Sequence, residues 1–517
     1  MLNLATLLES STRELPNHIA VIYNETRLPY AAVNAAANQV ANGLVGLGIK
    51  PGDKVALSCL NLPYFPIIYY GILKAGAVVV PLNVLLKPRE ITYHLMDSDA
   101  KAYFCFEGTK QLAMGKMGWE GFREAGACDH FIIITADPAT LTTIDGAKTL
   151  GDLMLNQPRT FSTVQTNSDD TAIIMYTSGT TGQPKGAELS HLNMVFNARL
   201  SDTMYEARPD DVHLITLPLF HSFGQSLQMN AGFYNGATIT LLPRFDPDAA
   251  LSIMQRDNVT FFAGVPTMYW ALLNYPETDK FDLDKIYKTL RYSVSGGSAM
   301  SMEVMKAFDE KFHVKILEGY GLSETSPAAS FNRINRESKP GSVGLPVWGV
   351  EIRIVNEKDE NVPQGEPGEI VVCGHNVMKG YYKKPAATKD AFRNGWFHTG
   401  DIGRFDEDGY IYIVDRVKDI IIRGGFNVYP REIEEILVSH PDISLAAVIG
   451  IPDNHYGEEI KAFVVRNKEA KATTEEIKSW AKENMAAYKY PREIVFREAL
   501  PMSATGKILK KELRKEV

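Results

Sequence analysis

The sequence predicts an α/β protein. We expect a large N-terminal domain of two doubly wound sheet subdomains plus a small β-barrel-like module, followed by a small α+β C-terminal domain. Helical and strand-like patterns alternate through the first two-thirds of the chain, and such alternation is typical of doubly wound sheets. The chain also has 517 residues, which is too long for a single hydrophobic core, so two or more domains are expected.

The alternating elements follow one another in chain order. Residues 30–49, "YAAVNAAANQVANGLVGLGI", have a helical composition and end near a glycine, and the strand "DKVALSCL" comes next. Helical stretches lie between many of the later segments. Those later segments are predicted strands, namely "AYFCFEG", "HFIIIT", "DTAIIMYTS", "DVHLITLPL", "ATITLLP", "VTFFAGVP" and "LRYSVSGG".

One apolar stretch, Tyr64–Leu86, is long enough to be compared with a membrane span. A span needs about 20 uninterrupted apolar residues. Here Lys74 lies in the middle of the stretch, and Pro66 and Pro81 bracket it. We therefore predict a buried helix, a turn at Gly76 and the core strand "AVVVPL".

The pattern changes near Lys339. Short alternating strands and turn dipeptides predict a β-rich module that ends with the hairpin-like segment "DEDGYIYIVDR". Two helices, "YPREIEEILVSH" and "TEEIKSWAKENMA", with the strand "AFVVRN" between them, then predict an α+β unit. We divide the chain into residues 1–415 and 416–517, and the first part at about residues 165 and 335.

Composition excludes several classes of protein. The net charge is −8, from 54 Lys and Arg against 62 Asp and Glu, without a long basic block, so no nucleic-acid partner is expected. A signal peptide has a basic segment followed by an apolar one, and the N-terminus lacks this pattern. The cysteines are scattered and form no C-x-x-C pair, which disfavours a zinc or disulfide framework and fits a reducing, cytoplasmic location; they are Cys59, Cys105, Cys128 and Cys373.

A loop rich in hydroxyl groups and glycine, "MYTSGTTGQPKGAELSH", follows a predicted strand. Glycines let backbone N–H groups approach phosphate oxygens, and a lysine adds a positive charge. The spacing does not fit the P-loop pattern, because Lys185 follows Pro184 and precedes Gly186. Taken alone, the loop fits either phosphate binding or an ordinary solvated loop.

Three further segments are weak signals individually. In "LPLFHSFGQ", His221 lies among apolar residues, where a core histidine is the simpler interpretation. The segment "VSGGSAM" ends a strand in paired glycines, which permit close approach to a flat ligand. The segment "LEGYGLSETSP" combines an aromatic ring, a hydroxyl and a carboxylate, which suit a base, a phosphate and a hard cation.

The order of five segments is more specific. They are "YTSGTTGQPKG", "GYGLSET", "WFHTGD", "DRVKDIIIRGGFNVYPREIEE" and "PMSATGKILKKEL". Together they resemble the adenylate-forming superfamily, which includes acyl-CoA synthetases, luciferases and peptide-synthetase adenylation domains, and they are most similar to bacterial long-chain fatty acid–CoA ligases. The resemblance covers essentially the whole chain. It implies an acid–thiol ligase that uses ATP, Mg²⁺ and coenzyme A and forms an acyl-AMP intermediate.

The resemblance also implies roles for individual residues around ATP. Tyr320 would stack on adenine, Asp401 would accept hydrogen bonds from the ribose hydroxyls, and Glu324 would be the metal ligand. The residues expected at ATP or AMP are Thr177, Ser178, Gly179, Thr180, Thr181, Gly182, Lys185, Gly297, Ser298, Glu318, Gly319, Tyr320, Gly321, Ser323, Asp401 and Arg416.

The catalytic residues implied by the resemblance are Lys507, Glu324, Thr177 and His221. Lys507, in "SATGK", would neutralise charge on the carboxylate and the α-phosphate. The small C-terminal domain is expected to be mobile and to turn about a hinge at Lys418, which would bring a glycine-rich segment to CoA. That segment comprises Arg423, Gly424, Gly425 and Phe426.

The resemblance also implies an acyl pocket around His221, Phe223, Val265 and Gly297. These residues are mainly apolar or small, which favours a medium- or long-chain fatty acid. Three alternatives remain. The substrate is an aryl acid of the coumarate kind, the acyl group passes to a carrier protein instead of CoA, or the chain is a catalytically silent nucleotide-binding protein. Weak peripheral membrane contact and homodimer formation are left open by the sequence.

Overall fold

The computed structural model describes residues 1–137, 140, 142, 144–177, 183–298, 300–453, 455–467 and 470–516. Most of the predicted polyphosphate loop therefore lies outside the described residues. The predicted site residues concerned are Ser178, Gly179, Thr180, Thr181 and Gly182.

The strands are given in chain order. Those of the first 190 residues are β1 (Ile19–Tyr23), β2 (Thr26–Pro29), β3 (Lys54–Ser58), β4 (Val78–Pro81), β5 (Ala100–Phe106), β6 (His130–Ile134), β7 (Lys148–Thr149), β8 (Thr171–Thr177) and β9 (Lys185–Ser190). The next are β10 (Val212–Ile215), β11 (Thr238–Leu241), β12 (Phe261–Gly264), β13 (Tyr292–Ser295), β14 (Ile316–Gly321), β15 (Ala328–Phe331) and β16 (Leu345–Pro346). The last are β17 (Val350–Val355), β18 (Gly368–Gly374), β19 (Gly380–Tyr381), β20 (Phe392–Arg393), β21 (Trp396–Phe405), β22 (Ile411–Arg416), β23 (Ile421–Arg423), β24 (Phe426–Val428), β25 (Ile443–Asp453), β26 (Gly457–Arg466) and β27 (Glu493–Arg497).

The α-helices lie mostly between the strands of the two large sheets. The first are α1 (Thr6–Glu14), α2 (Tyr30–Gly46), α3 (Tyr64–Lys74), α4 (Pro88–Asp97), α5 (Met114–Ala125), α6 (Leu150–Met154), α7 (His191–Arg199), α8 (Ser201–Tyr205) and α9 (Ala231–Asn235). The others are α10 (Pro247–Asp257), α11 (Pro266–Leu273), α12 (Leu283–Thr289), α13 (Met302–Phe312), α14 (Pro385–Ala391), α15 (Pro430–Val438), α16 (Thr474–Asn484) and α17 (Lys510–Leu513). A π-helix spans Phe223–Asn230, and short 3₁₀ turns span Thr278–Lys280, Ser323–Thr325, Val417–Asp419 and Arg514–Glu516.

Two large mixed sheets form the N-terminal domain. One has the strand order β16-β15-β14-β13-β12-β10-β11-β1-β2, in which the strands from β14 to β1 run parallel. The other has the order β19-β9-β8-β4-β3-β5-β6-β7, in which the strands from β8 to β7 run parallel. Parallel strands need crossover connections, and the helices between them supply these. The predicted α/β class is confirmed.

Strands cross the predicted division near residue 165 in both directions. β1 pairs with β11, so an N-terminal strand belongs to the sheet built mainly from later residues. Conversely, β8 and β9 complete the sheet built mainly from earlier residues. As domain boundaries, the divisions near residues 165, 335 and 415 stay predictions.

The β-rich module and the C-terminal unit have smaller sheets. The first has the order β17-β18-β21-β20, and β22 pairs with β21 to give the predicted hairpin. The second has the order β24-β23-β26-β25, with β27 beside β26. This second sheet has hydrophobic clusters of its own, around Ile433 and Val448 and around Ile449 and Phe463, which is the packing expected of a separate folding unit.

The individual sequence predictions agree with the observed elements. The predicted strands of the first two-thirds are observed as β5, β6, β8 and β10 to β13, and the predicted first long helix is α2. The stretch Tyr64–Leu86 forms the buried helix α3, a turn with Gly76 at a positive φ, and the buried strand β4. In the part of the chain that the structure describes, no helix combines the length and the apolar character that a membrane crossing requires.

Candidate active site

The predicted site residues lie where several strands end. β12, β13 and β14 are parallel neighbours, and they end at Gly264, Ser295 and Gly321. β8 of the other large sheet ends at Thr177. In open α/β sheets, ligands bind in the crevice outside the carboxyl ends of the strands, so this edge is where a ligand is expected.

Gly321 ends β14 at a point where only glycine fits. A Cβ atom at this position would lie 1.8 Å from the carbonyl oxygen of Pro327. The tight approach turns the chain back from β14 into β15, and the 3₁₀ turn Ser323–Thr325 lies between the two strands. The sequence "GYGLSET" is thus folded so that Tyr320 lies at the end of β14 and Glu324 lies in the turn that follows.

Tyr320, Asp401 and Arg416 form one hydrogen-bonded group. The Tyr320 hydroxyl donates to Asp401 Oδ2 at 2.7 Å, and Arg416 Nε lies 3.0 Å from Asp401 Oδ1. Asp401 and Arg416 are direct partners on β21 and β22. Asp401 is buried, and each of its oxygens keeps acceptor capacity beyond these contacts.

Glu324 is a buried carboxylate with few protein partners. The Tyr381 hydroxyl donates to its Oε1 at 3.0 Å, and the Thr177 side chain lies close by. Burial raises the pKa of Glu324, while nearby hydrogen-bond donors and the Arg416 charge oppose the rise. Among the described residues, no group of three or more His, Cys, Asp or Glu side chains lies in a metal-binding arrangement.

A single carboxylate fits Mg²⁺ well, because Mg²⁺ is usually bound by one or two carboxylates and completes its shell with water and substrate phosphates. Glu324 lies next to Thr177, where the predicted polyphosphate loop begins. The donor set therefore suits a magnesium ion that is shared with a bound polyphosphate.

Lys185 follows the loop at the start of β9, directly opposite Thr177 at the end of β8. Its ammonium group lies 5.2 Å from the centre of the Tyr381 ring. The exit from the loop is held by the Tyr93 hydroxyl, which donates to the Pro184 carbonyl at 2.7 Å. Both ends of the loop are thus fixed, although the loop itself lies outside the described residues.

The segment around His221 contacts the turn after β14. Ser222 Oγ lies 3.5 Å from Ser323 Oγ, and the Phe223 ring would lie 3.2 Å from a Cβ atom placed on Gly296. Burial, together with the positive charge of Lys507, lowers the pKa of His221 to about 4. His221 is therefore neutral at physiological pH.

The C-terminal unit places Lys507 at this site. The Thr267 hydroxyl donates to the Gly506 carbonyl at 3.0 Å, and a Cβ atom on Gly506 would lie 2.8 Å from Val265 Cγ2. Burial and the nearby Arg416 charge lower the pKa of Lys507 to about 8, against an opposing contribution from Asp401. Lys507 thus lies near His221, Asp401 and Arg416 in space, although it is far from them in sequence.

The predicted CoA segment lies elsewhere in this conformation. Arg423 pairs with Glu459 at 2.6 Å and stacks on the Tyr456 ring. Nothing lies within 4 Å of a Cβ atom placed on Gly425, and Phe426 is 56% exposed. Lys418, the predicted hinge, lies in the exposed 3₁₀ turn between β22 and β23.

The remaining predicted residues lie on or beside the ends of β13 and β14. Gly297 and Ser298 are exposed directly after β13, and Gly319 lies on β14. Glu318 is buried on β14 and accepts a hydrogen bond from the Met300 backbone at 3.3 Å. Burial raises the pKa of Glu318 to about 7, against opposing contributions from Arg431 and this hydrogen bond.

Two residues at the site were not singled out by the sequence. Thr267 directly follows the predicted strand segment "VTFFAGVP", and its hydroxyl contacts a residue 239 positions away. Tyr381 occurs in "MKGYYKKP", where a pair of tyrosines after a glycine is the only signal. In both cases the partner is distant in sequence, so no local pattern indicates the contact.

The whole chain is similar to known proteins. Residues 8–382 match the AMP-binding enzyme family, and residues 432–507 match the AMP-binding enzyme C-terminal domain. A long-chain-fatty-acid–CoA ligase of Bacillus subtilis (strain 168) is 36% identical over 537 residues, covering 99% of this chain and 94% of that protein. A feruloyl-CoA synthase of an Amycolatopsis species is 35% identical over 508 residues, covering 97% and 96%.

The fold is also similar to solved structures. The crystal structure of ATP-bound MatB from Rhodopseudomonas palustris has a TM-score of 0.90 and 32% sequence identity, and the match covers 100% of this chain and 99% of that one. The two family matches and the relatives above 30% identity over nearly the full length indicate the same kind of nucleotide site as the arrangement of Tyr320, Glu324 and Asp401. The chain belongs to the AMP-binding, adenylate-forming enzyme family, and it is an acyl- or aryl-CoA ligase that uses ATP, Mg²⁺ and CoA.

Proposed function

We propose that this chain converts a medium- or long-chain fatty acid to its CoA thioester through an acyl-adenylate, with release of pyrophosphate and then AMP. The main support is the position of Lys507, whose loop docks on Thr267 beside the apolar residue Val265. A cation between an apolar pocket and a polyphosphate site suits the transfer of an adenylyl group to a carboxylate.

In the first half-reaction, a carboxylate oxygen attacks the α-phosphorus of ATP, and the bond to the β-phosphate oxygen breaks. We assign to Lys507 the offset of negative charge at this centre, because it is still cationic below its pKa of about 8. Glu324 would hold Mg²⁺, which would supply neutralising charge at the phosphate oxygens. Positioning and charge stabilisation are the main contributions that such a reaction needs from a protein.

Other residues are assigned to binding. Tyr320 is assigned to the adenine face, and Asp401 with Arg416 to the ribose hydroxyls. Lys185, at the exit of the loop, is assigned to the departing pyrophosphate. His221 is neutral, so it is assigned to hydrogen bonding near the acid rather than to charge neutralisation.

In the second half-reaction, the CoA thiolate attacks the carbonyl carbon, and AMP leaves. We propose that the C-terminal domain turns about Lys418, withdraws Lys507 and brings the segment Arg423–Phe426 to the acyl-adenylate. Gly425 supports this role, because it has a φ of +84° and nothing lies within 4 Å of its missing Cβ atom. A bare, exposed stretch of backbone can lie against the narrow pantetheine arm without a steric clash.

The fatty acid is proposed from the apolar side chains that surround the expected acyl pocket residues Phe223 and Val265. Phe223, Leu227, Val265 and Met268 are buried and belong to one hydrophobic cluster, so an apolar acyl chain would replace little polar contact. A pyrophosphate-release screen over acids of graded chain length and aromaticity tests this. The proposal requires the highest kcat/KM for a straight-chain acid of about eight or more carbons; a maximum at a short or charged acid would contradict it.

An aryl acid is the second candidate, supported by a separate observation. The Phe223 ring packs on Gly296, where a Cβ atom would be only 3.2 Å away, so an aromatic ring already lies in the expected acyl region, and aromatic rings pack well against one another. A relative named feruloyl-CoA synthase at 35% identity also favours this class. In the same screen, a cinnamate-type acid that exceeds all aliphatic acids in kcat/KM would select this candidate.

The role of Lys507 is tested by separating the half-reactions. Lys507→Ala should lose acid-dependent pyrophosphate release by more than 100-fold but still convert added acyl-adenylate and CoA to acyl-CoA. Lys511→Ala is the matched control, because Lys511 is an exposed lysine of the same C-terminal segment. An equal loss of both half-reactions in Lys507→Ala would remove the lysine from its proposed role.

A further inference from the structure

Tyr381 contacts two residues of the site through different parts of its side chain. Its hydroxyl donates to Glu324 Oε1 at 3.0 Å, while the centre of its ring lies 5.2 Å from the ammonium group of Lys185. Glu324 is the proposed metal ligand, and Lys185 is the proposed pyrophosphate contact. One side chain therefore joins the two ends of the polyphosphate site.

The hydroxyl of Tyr381 has to act as a donor here. An ionised carboxylate has no proton to donate, so the 3.0 Å contact with Glu324 Oε1 is made by the phenolic O–H of Tyr381. Glu324 Oε1 is thereby held by a donor, while its carboxylate retains lone pairs for a cation. A hydrogen bond from a fixed tyrosine restricts the rotation of the carboxylate and so orients it.

The ring of Tyr381 has a separate effect on Lys185. Among the described residues, Lys185 forms no ion pair with a carboxylate. Its positive charge is instead placed over the negative face of an aromatic ring, a contact that fixes position without neutralising charge. The full charge of Lys185 is therefore available to an anion.

The backbone of Tyr381 is held independently of its side chain. Tyr381 pairs with Ala187 between β19 and β9, and its N–H donates to Thr388 Oγ1 at 2.9 Å. The neighbouring Met378 N–H donates to the Glu324 carbonyl at 2.8 Å. These contacts survive any change of the Tyr381 side chain, so substitutions there test the hydroxyl and the ring.

We propose that Tyr381 is a positioning residue. Its hydroxyl orients the carboxylate of the Mg²⁺ ligand Glu324, and its ring fixes the position of the Lys185 ammonium group. The two effects are separable, since Tyr381→Phe removes only the hydroxyl and Tyr381→Leu removes both the hydroxyl and the ring. This proposal rests on the proposed roles of Glu324 and Lys185.

Tyr382 is a matched control in the adjacent position. Its hydroxyl donates to another carboxylate, Asp99 Oδ2, at 2.7 Å, and lysine ammonium groups lie 5.2 Å and 5.5 Å from its ring centre. Tyr382→Phe therefore removes the same kind of hydrogen bond in the same segment, but at a carboxylate outside the proposed site.

The experiment is titration calorimetry of ATP into the full-length protein, with no divalent cation and over a series of Mg²⁺ concentrations. Tyr381→Phe should bind Mg²⁺-free ATP within about twofold of the unaltered protein, yet need about tenfold more Mg²⁺ for half of the Mg²⁺-dependent gain in affinity, as expected when a hydrogen bond to a charged group is lost. Tyr381→Leu should additionally weaken Mg²⁺-free ATP binding by about three- to tenfold. Tyr382→Phe should match the unaltered protein in both.

Two results would overturn the proposal. One is a Mg²⁺ requirement in Tyr381→Phe that equals that of Tyr382→Phe, which would remove the role of the hydroxyl. The other is an equal weakening of Mg²⁺-free ATP binding in Tyr381→Phe and Tyr381→Leu, which would remove the role of the ring. If Tyr381→Leu fails to fold, the comparison of the two phenylalanine variants decides the hydroxyl role. Unaltered protein that binds ATP equally with and without Mg²⁺ would instead contradict the proposed function, and the Tyr381 proposal with it.

Discussion

Gly506→Ala should impair adenylation selectively, because of where Gly506 lies in this conformation. A Cβ atom there would lie 2.8 Å from Val265 Cγ2 and 2.9 Å from Thr267 Oγ1. Both contacts belong to the N-terminal domain, so the clash exists only while the Lys507 loop is docked as observed. The φ of Gly506 is also +76°, a conformation that alanine adopts with strain.

The two costs act on different states. The left-handed backbone costs alanine about 1 kcal/mol or more, but this strain is local and is present in every orientation of the C-terminal domain. The overpacking against Val265 and Thr267 costs about 1–3 kcal/mol and is confined to the docked state. At about 1.4 kcal/mol per factor of ten, adenylation should fall by about 5- to 150-fold.

The assay measures each half-reaction alone. Single-turnover pyrophosphate release reports adenylation, and conversion of chemically prepared acyl-adenylate with CoA reports thioester formation. Gly506→Ala should lose the first and retain the second within about threefold, since the clash is relieved when the domain leaves its docked position.

Gly425→Ala is the control for backbone strain. Its φ is +84°, similar to that of Gly506, but nothing lies within 4 Å of the added Cβ atom. It should leave adenylation nearly unchanged. The reasoning is refuted if Gly506→Ala reduces both half-reactions equally, or if Gly425→Ala reduces adenylation as much as Gly506→Ala does.

Three other predictions concern charge. The kcat/KM of adenylation for ATP should fall as the pH rises through about 8, where Lys507 loses its proton. In Lys507→Arg, the residual activity should fall only above about pH 10, because arginine keeps its proton there. If the fall stays near pH 8 in this variant, it belongs to the titration of another group. Burial raises the folded pKa of Glu318 from 4.5 to about 7, so its protonated form stabilises the fold at low pH and this contribution is lost as the pH rises from 4.5 through 7. The free energy of unfolding of Glu318→Gln should therefore exceed that of the unaltered protein by an amount that grows between pH 5 and 8, to at most about 3 kcal/mol. A difference that does not depend on pH would contradict this. Finally, Lys74 is 1% exposed and pairs with Glu9, so Glu9→Gln should lower the free energy of unfolding by about 3 kcal/mol. The double variant with Lys74→Met should recover much of the lost melting temperature, because it removes the unpaired buried charge. No recovery would show that this charge is not the cause.

The local elements were predictable because their signals are local. The helix over residues 30–46 and the buried strand Val78–Pro81 follow from composition and from turn residues a few positions away. The predicted α/β class follows from the alternation of such elements. Likewise, the order of the five motifs was sufficient to identify the family, which the comparisons confirm.

The site geometry was less predictable, because its contacts join distant parts of the chain. The Tyr320 hydroxyl meets Asp401 across 81 positions, and Thr267 meets Gly506 across 239. The exchange of β1 and β8 between the two large sheets likewise depends on which edges become adjacent once the helices pack. No periodicity in the sequence encodes such pairings.

The sequence by itself therefore determined the class of fold, the family and the identity of most of the proposed site residues, since each depends on short segments and their order. Only the tertiary structure decided that Tyr381 joins Glu324 to Lys185, and that Lys507 rather than the Arg423–Phe426 segment faces the site. The physical reason is that sheet pairing and domain docking are set by packing between distant surfaces, which local propensity does not specify.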